Sequence, residues 1–243
     1  MFKVDWEKTS VTQRLPQGIV EEMVRLAYPN KKLISQQLIS GGCANLNFKI
    51  HLEDWKDPLI LRVYLRDKGA AFIEQKIAVL LKETVPVPTT YYIGEQDGYY
   101  FAITEFMYGI SLRDLLLGDA FHDIADIMYQ VGTILSKITA HKFSEAGFFY
   151  KELNIKHGFG DETINRFSLS CLKHHNVIRY LDKDIIDSIE RHLERLPDFI
   201  NNSVSLVHAD FDPANILVDK VTGSWAVTGV LDWEFAYSGF FYG

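Results

Sequence analysis

Apolar residues change rhythm partway along the chain, from alternation to helical spacing. Residues 16–28 first place Ile19, Met23, Val24 and Ala27 on one face of a short helix. Three runs then read as strands, Leu33–Ser40, Asn47–Leu52 and Leu59–Tyr64, separated by Gly41-Gly42 and by Asp54–Pro58. The spacing of Phe72, Ile73, Ile77, Leu80 and Leu81 predicts a helix over about Gly69–Lys82, which Pro86 and Pro88 cannot continue. Thr89–Gly94 and Tyr99–Glu105 flank Gln96-Asp97-Gly98, whose Asp-Gly pair suits a hairpin turn. The predicted order up to Glu105 is β-β-β-α-β-β.

Beyond Glu105 the pattern turns helical. Ile124, Ile127, Met128, Val131, Ile134, Leu135 and Ile138 recur at three and four across His122–His141. Thr163–Leu181 and Asp184–Leu196 predict two more helices, and Ser205–Val207, Ile216–Asp219 and Trp225–Leu231 predict short strands. The last two suit a hairpin around Thr222-Gly223. The expectation is an α+β chain of two lobes, residues 1–105 rich in strands and 106–243 rich in helices, with a ligand cleft between them.

Composition narrows the classes of function. Of 243 residues 47% are apolar and 23% charged, enough for a sizeable core. The net charge of −7 argues against a nucleic-acid or anionic-membrane binder. No apolar run is long enough to span a bilayer, and charges occupy the place of a signal peptide's apolar region, so a cytoplasmic protein is expected. Two cysteines, Cys43 and Cys171, offer neither a disulfide framework nor a zinc spacing. Charge is unevenly spread. There are 13 basic and 13 acidic residues through Glu105, but 12 basic and 19 acidic after it. Such an excess is either solvated helix surface or a face that receives a cationic substrate.

The densest polar constellation is His208-Ala-Asp210-Phe-Asp212-Pro-Ala-Asn215, followed by Leu231-Asp232-Trp233-Glu234. Phosphoryl transfer needs a carboxylate facing the acceptor hydroxyl and oxygen ligands for Mg²⁺ from separate loops. Asp210, Asn215 and Asp232 supply those types in that order. The His208, Asp210 and Asp212 cluster also fits a hydrolase metal site.

These motifs resemble the catalytic and metal-binding loops of aminoglycoside phosphotransferases and related small-molecule kinases, which share the protein-kinase-like fold. The resemblance covers most of the chain. It implies that Ser40-Gly41-Gly42-Cys43-Ala44-Asn45 is the nucleotide-phosphate loop and that Arg62 is the basic residue of the third strand. Glu74 matches its acidic partner, and Glu105, Phe106 and Met107 match the hinge that holds the nucleotide base, ahead of Gly109. Without the other motifs, Arg62 and Glu74 also read as an ordinary surface pair. Trp233-Glu234, where protein kinases have Phe-Gly, favours a small-molecule acceptor over a protein.

The expected activity is transfer of the γ-phosphoryl group of ATP or GTP to a hydroxyl of a small cationic molecule. Asp210 would be catalytic, and Asn215 and Asp232 would hold Mg²⁺. Asp212 and Glu234 would face the cationic acceptor. The alternative is a non-catalytic nucleotide-binding protein or an inactive fragment of the fold. Relatives of this family continue past the final aspartate into further helices. The resemblance therefore implies a shortened larger lobe, with the aromatic segment Phe235–Tyr242 exposed and free to self-associate.

Overall fold

The computed structural model describes residues 15–39, 45–118, 124–158, 164–195 and 204–240. Helix α1 (Ile19–Ala27) buries Ile19, Val20, Met23 and Val24, one stripe of its surface. It leads into β1 (Leu33–Ile39), β2 (Asn45–Leu52) and β3 (Leu59–Tyr64). Helix α2 (Ala70–Leu81) crosses to β4 (Thr90–Gln96), which turns back into β5 (Tyr99–Glu105). The five strands form one antiparallel sheet in the order β1-β2-β3-β5-β4. At the turn between β4 and β5, Asp97 and Gly98 both have positive φ, 50° and 81°, the geometry that makes Asp-Gly a hairpin signal. Strand β3 alternates. Leu59, Leu61 and Val63 enter the core under α1, while Ile60 and Arg62 face the other way.

A short link joins β5 to β6 (Ile110–Ser111) and α3 (Leu112–Leu117), whose first turn is capped by Ser111 Oγ accepting from Asp114 N at 3.0 Å. The link allows no side chain at Gly109. Its φ is 134°, and a Cβ would lie 2.8 Å from the Val218 carbonyl oxygen. Helix α4 (Ile124–Thr139) buries Ile127, Val131, Ile134 and Ile138, as its periodicity predicts. Strands β7 (Lys142–Phe143), β8 (Gly147–Phe149) and β9 (Ile155–Gly158) precede helices α5 (Ile164–Leu172), α6 (His175–Tyr180) and α7 (Lys183–Arg195). The helix predicted over 163–181 is thus two helices. The chain breaks before His174, whose side chain accepts from Asn176 N as the cap of α6.

Strands β10 (Val204–Val207), β11 (Ile216–Val221), β12 (Ser224–Val230) and β13 (Tyr237–Phe240) complete the second lobe. The hairpin between β11 and β12 turns at Thr222 and Gly223 (φ 51° and 92°), and β11 also pairs with β6. The other sheet runs β7-β10-β13-β8-β9. Its central strand corrects the expectation of an exposed aromatic tail. Residues 237–240 pair on one side with β10 and on the other with β8, and Ala236 and Ser238 are buried. Phe235 is largely exposed and Tyr237 is half-buried, while Phe241 and Tyr242 lie outside the described residues. Backbone pairing to two neighbours makes residues 237–240 a central strand and not a loose segment.

The lobes share a core through α2. Ile77 and Leu81 pack in one cluster with Ile134, Ile138, Leu206, Val230 and Trp233. Val230 N also donates to the Pro86 carbonyl at 2.8 Å. No helix among the described residues is long and apolar enough to cross a membrane.

Candidate active site

Between the lobes lies a cavity of about 310 Å³. Ile39, Ile60, Phe106, Met107, Leu217 and Leu231 give it apolar walls, and Glu105 and Gly109 also line it. Arg62, Glu74 and Asp232 stand together on its lining. The alternation of β3 aims Arg62 here, one residue out of phase with buried Leu61 and Val63.

Arg62 is the centre of a charged cluster. One terminal nitrogen lies 2.6 Å from Asp232 Oδ1, 3.4 Å from Glu234 Oε2 and 3.5 Å from Glu74 Oε1. Tyr64 donates its hydroxyl to the other Glu74 oxygen, and Asn45 Nδ2 donates to Glu234 Oε2. Burial alone would lower the Arg62 pKa, but Glu74, Asp232, Tyr64 and Glu234 override it and raise it, so the guanidinium stays charged. Burial pushes the Glu74 and Glu234 carboxyls up, against the pull of Arg62. Three carboxylates therefore surround one cation. Arg62 Nε and Glu74 Oε1 are buried without hydrogen-bond partners among the described residues.

The structure thus brings Arg62 and Glu74 together as an inward pair, not as a surface one. It also moves Glu234 from its expected place. Its side chain is only 7% exposed and turned to Arg62 and Asn45, so it cannot greet an acceptor from solvent. Asp232 and Glu234 both face Arg62 from the turn that follows β12 (Ser224–Val230).

The second half of the site is a loop held by neutral hydrogen bonds. His208 Nδ1 accepts from Asp210 N at 3.3 Å, and Nε2 carries the proton toward the Leu231 carbonyl at 3.0 Å. Burial lowers the His208 pKa, consistent with this neutral tautomer, and Trp233 packs against the ring with centroids 4.2 Å apart. With both ring nitrogens engaged, His208 is a loop support and no metal ligand. Asp212 Oδ1 accepts from Ala214 N at 2.9 Å, capping a 3-10 turn at Pro213–Asn215. Asn215 Nδ2 donates at 3.0 Å to both the carbonyl and Oδ2 of Asp210, so Oδ1 is the amide atom that could hold a cation. Leu231 N donates to the Asn215 carbonyl at 2.8 Å, so the two loops meet here.

Ala209 and Asp232 have φ of 68° and 66°, left-handed values uncommon for residues with a Cβ. Such strain persists only where the surroundings over-determine it. Gly41 and Gly42, expected over the phosphates, lie outside the described residues. Tyr64 escaped sequence reasoning, and Asn45 was expected as the end of the phosphate loop but not as the partner of Glu234.

A strand-rich lobe and a helical lobe around such a cavity, with Asp and Asn on one loop and a second Asp on the next, define a protein-kinase-like fold. The model of the phosphotransferase enzyme family (APH) matches residues 35–242, and the chain belongs to that family. Among solved structures it is similar to a thermostable mutant of aminoglycoside phosphotransferase APH(4)-Ia in ternary complex with AMP-PNP and hygromycin B. That likeness has 20% identity and a TM-score of 0.67, covering 92% of this chain and 73% of that one. Spectinomycin phosphotransferase APH(9)-Ia in complex with ADP and spectinomycin gives 11% identity and a TM-score of 0.56, over 93% of this chain and 71% of that one. Choline kinase from Cryptosporidium parvum gives 14% and 0.56, over 93% and 66%. No curated protein matches the chain.

Proposed function

We propose that this chain transfers the γ-phosphoryl group of ATP or GTP to a hydroxyl of a small cationic molecule, an aminoglycoside being the favoured class. The observation that carries the reading is the cluster at Arg62. A buried guanidinium whose Nε has no partner among the described residues, on the lining of an apolar-walled cavity, suits a phosphate entering beside a nucleobase. Nucleotide complexes of similar structures support the same reading.

Among the described residues no group of three or more His, Cys, Asp or Glu is disposed to hold a metal by itself. Asn215 Oδ1 and the Asp232 carboxylate offer two oxygen ligands, which fits Mg²⁺, an ion that takes few protein ligands and completes its shell with phosphate and water. Mg²⁺ there would neutralise charge developing on the transferred group. Arg62, kept charged by its carboxylates, binds phosphate oxygens. Phe106 and Met107 flank the base, whose edge meets the backbone between Glu105 and Gly109. Gly41 and Gly42 would let backbone N–H groups approach the phosphates.

Asp210 orients the acceptor hydroxyl and accepts its proton. Asn215 and the His208 ring hold the backbone and carboxylate of Asp210 in place for that task. Positioning and electrostatics carry such a reaction, so no strongly shifted carboxyl is required. The acidic excess beyond Glu105 favours an amine-bearing acceptor, with affinity that falls as salt rises.

The test is transfer of labelled γ-phosphate from ATP and from GTP to a panel of aminoglycosides, choline and neutral sugars. The expected result is labelled product with a cationic acceptor and none with the Asp210→Asn variant. Nucleotide binding without transfer to any acceptor would overturn the catalytic reading.

A further inference from the structure

One hydrogen bond spans the whole site without carrying charge of its own on the donor side. Asn45 is the first residue of β2, directly after the segment that contains Gly41 and Gly42. It is 4% exposed. Its amide uses both ends. Oδ1 accepts from Leu65 N, at the exit of β3, at 3.2 Å, and Nδ2 donates to Glu234 Oε2. Because the two partners are a donor and an acceptor, the amide has one orientation only.

At the far end, Glu234 sits two residues beyond Asp232. The left-handed backbone of Asp232 must be fixed by its flanks. Val230 and Trp233 supply one, through the Trp233 Nε1 bond to the Val230 carbonyl at 3.0 Å. Glu234 supplies the other. A lysine opposite Glu234 would cancel its charge, whereas an asparagine directs the carboxylate and leaves the excess of negative charge around Arg62 intact.

We propose that Asn45 and Glu234 are a positioning pair. They fix the distance between the strand leaving the glycine loop and the turn carrying Asp232, and so set affinity for the phosphate end of the nucleotide. This inference rests on the nucleotide-binding reading above. Neither residue touches the transferred group; both act through the placing of Asp232.

The experiment exchanges the two side-chain chemistries. In Asn45→Asp, two buried carboxylates oppose each other and the bond is lost. In the double variant Asn45→Asp with Glu234→Gln, the amide and carboxylate trade places and one bond and one charge return. Calorimetry with Mg²⁺ and ADP, and separately with adenosine, reads the effect. Asn45→Asp is expected to weaken Mg²⁺–ADP binding by about tenfold or more. The double variant should recover to within about threefold of the unaltered chain, with adenosine affinity constant throughout. Asn45→Ala deletes the amide without adding a charge and covers the case in which Asn45→Asp does not fold. It should weaken Mg²⁺–ADP binding by about threefold or more with adenosine affinity unchanged.

A double variant no better than the single one overturns the pair. So does an equal loss of adenosine binding, which would make the contact one of general packing. Loss in Glu234→Gln as deep as in Asp232→Ala also overturns it, since Glu234 would then serve as a metal carboxylate. If the unaltered chain binds neither ADP nor adenosine, the nucleotide reading itself fails, whereas failure of the pair shows only in the variants.

Discussion

The Arg62 cluster and the Asp210 loop meet at Leu231 yet are built on opposite principles. Around Arg62 three carboxylates compete for one guanidinium in a buried setting, and Arg62 Nε and Glu74 Oε1 have no hydrogen-bond partners among the described residues. Around Asp210 the supports are a neutral imidazole, an amide and backbone groups, each within ordinary hydrogen-bond distance. On the proposed function the two tasks differ: holding a polyanion asks for a fixed cation balanced by carboxylates, whereas aiming one carboxylate asks for directed bonds. One region stores electrostatic tension and the other stores geometry.

The largest expected effect comes from breaking the second region alone. Asp210→Asn should lower transfer by about 10²–10⁴-fold while leaving nucleotide affinity within a few-fold, as steady-state rates beside calorimetry would show. An equal loss of both would mean that the two regions are not separable. Next is the first region. Arg62→Ala leaves Glu74, Asp232 and Glu234 facing one another and should cost about 3 kcal/mol of stability in urea unfolding, with nucleotide binding lost. Stability near that of the unaltered chain would show that the cluster is less strained than its charges imply.

Gly109→Ala tests the joint between the regions. Its Cβ would meet the Val218 carbonyl, so a loss of about 2 kcal/mol is expected, with nucleotide binding weakened although no cluster residue changes. The smallest effect is a slope. His208 has its pKa lowered in the folded chain by burial, so near pH 6.5 the unfolded chain binds the extra proton and stability falls as pH drops through that region. His208→Gln should remove up to about 1.4 kcal/mol per pH unit of that slope. Thermal unfolding between pH 7.5 and 5.5, compared variant against parent, isolates it from Glu74 and Glu234. An unchanged slope would place a proton on His208 in the native loop.

The first sheet was largely legible because its signals are local. Asp97-Gly98 dictates its turn, and the helical stripe of α2 lies within a dozen residues. The order Asp210, Asn215, Asp232 was equally plain, since loop spacing survives folding unchanged. What the chain hid depends on distant partners. Strand β13 reads as a loose aromatic tail until β10 and β8 close around it. Glu234 reads as an acceptor-facing carboxylate until Arg62 and Asn45, the latter 189 residues away, turn it inward. The break at His174 was missed because no proline or glycine stands between Thr163 and Leu181, and the cap bond marks the interruption.

The central place of β13 has a consequence for the order in which the molecule assembles. Its neighbours β10 and β8 do not pair with each other, so before residues 237–240 insert, β7–β10 and β8–β9 are two separate ribbons. On a ribosome the chain makes α2, Glu74 and Asp210 long before the strand that knits those ribbons together. Contacts spanning about ninety residues close slowly. The nascent larger lobe therefore waits with open strand edges, the stage at which a chaperone is of most use.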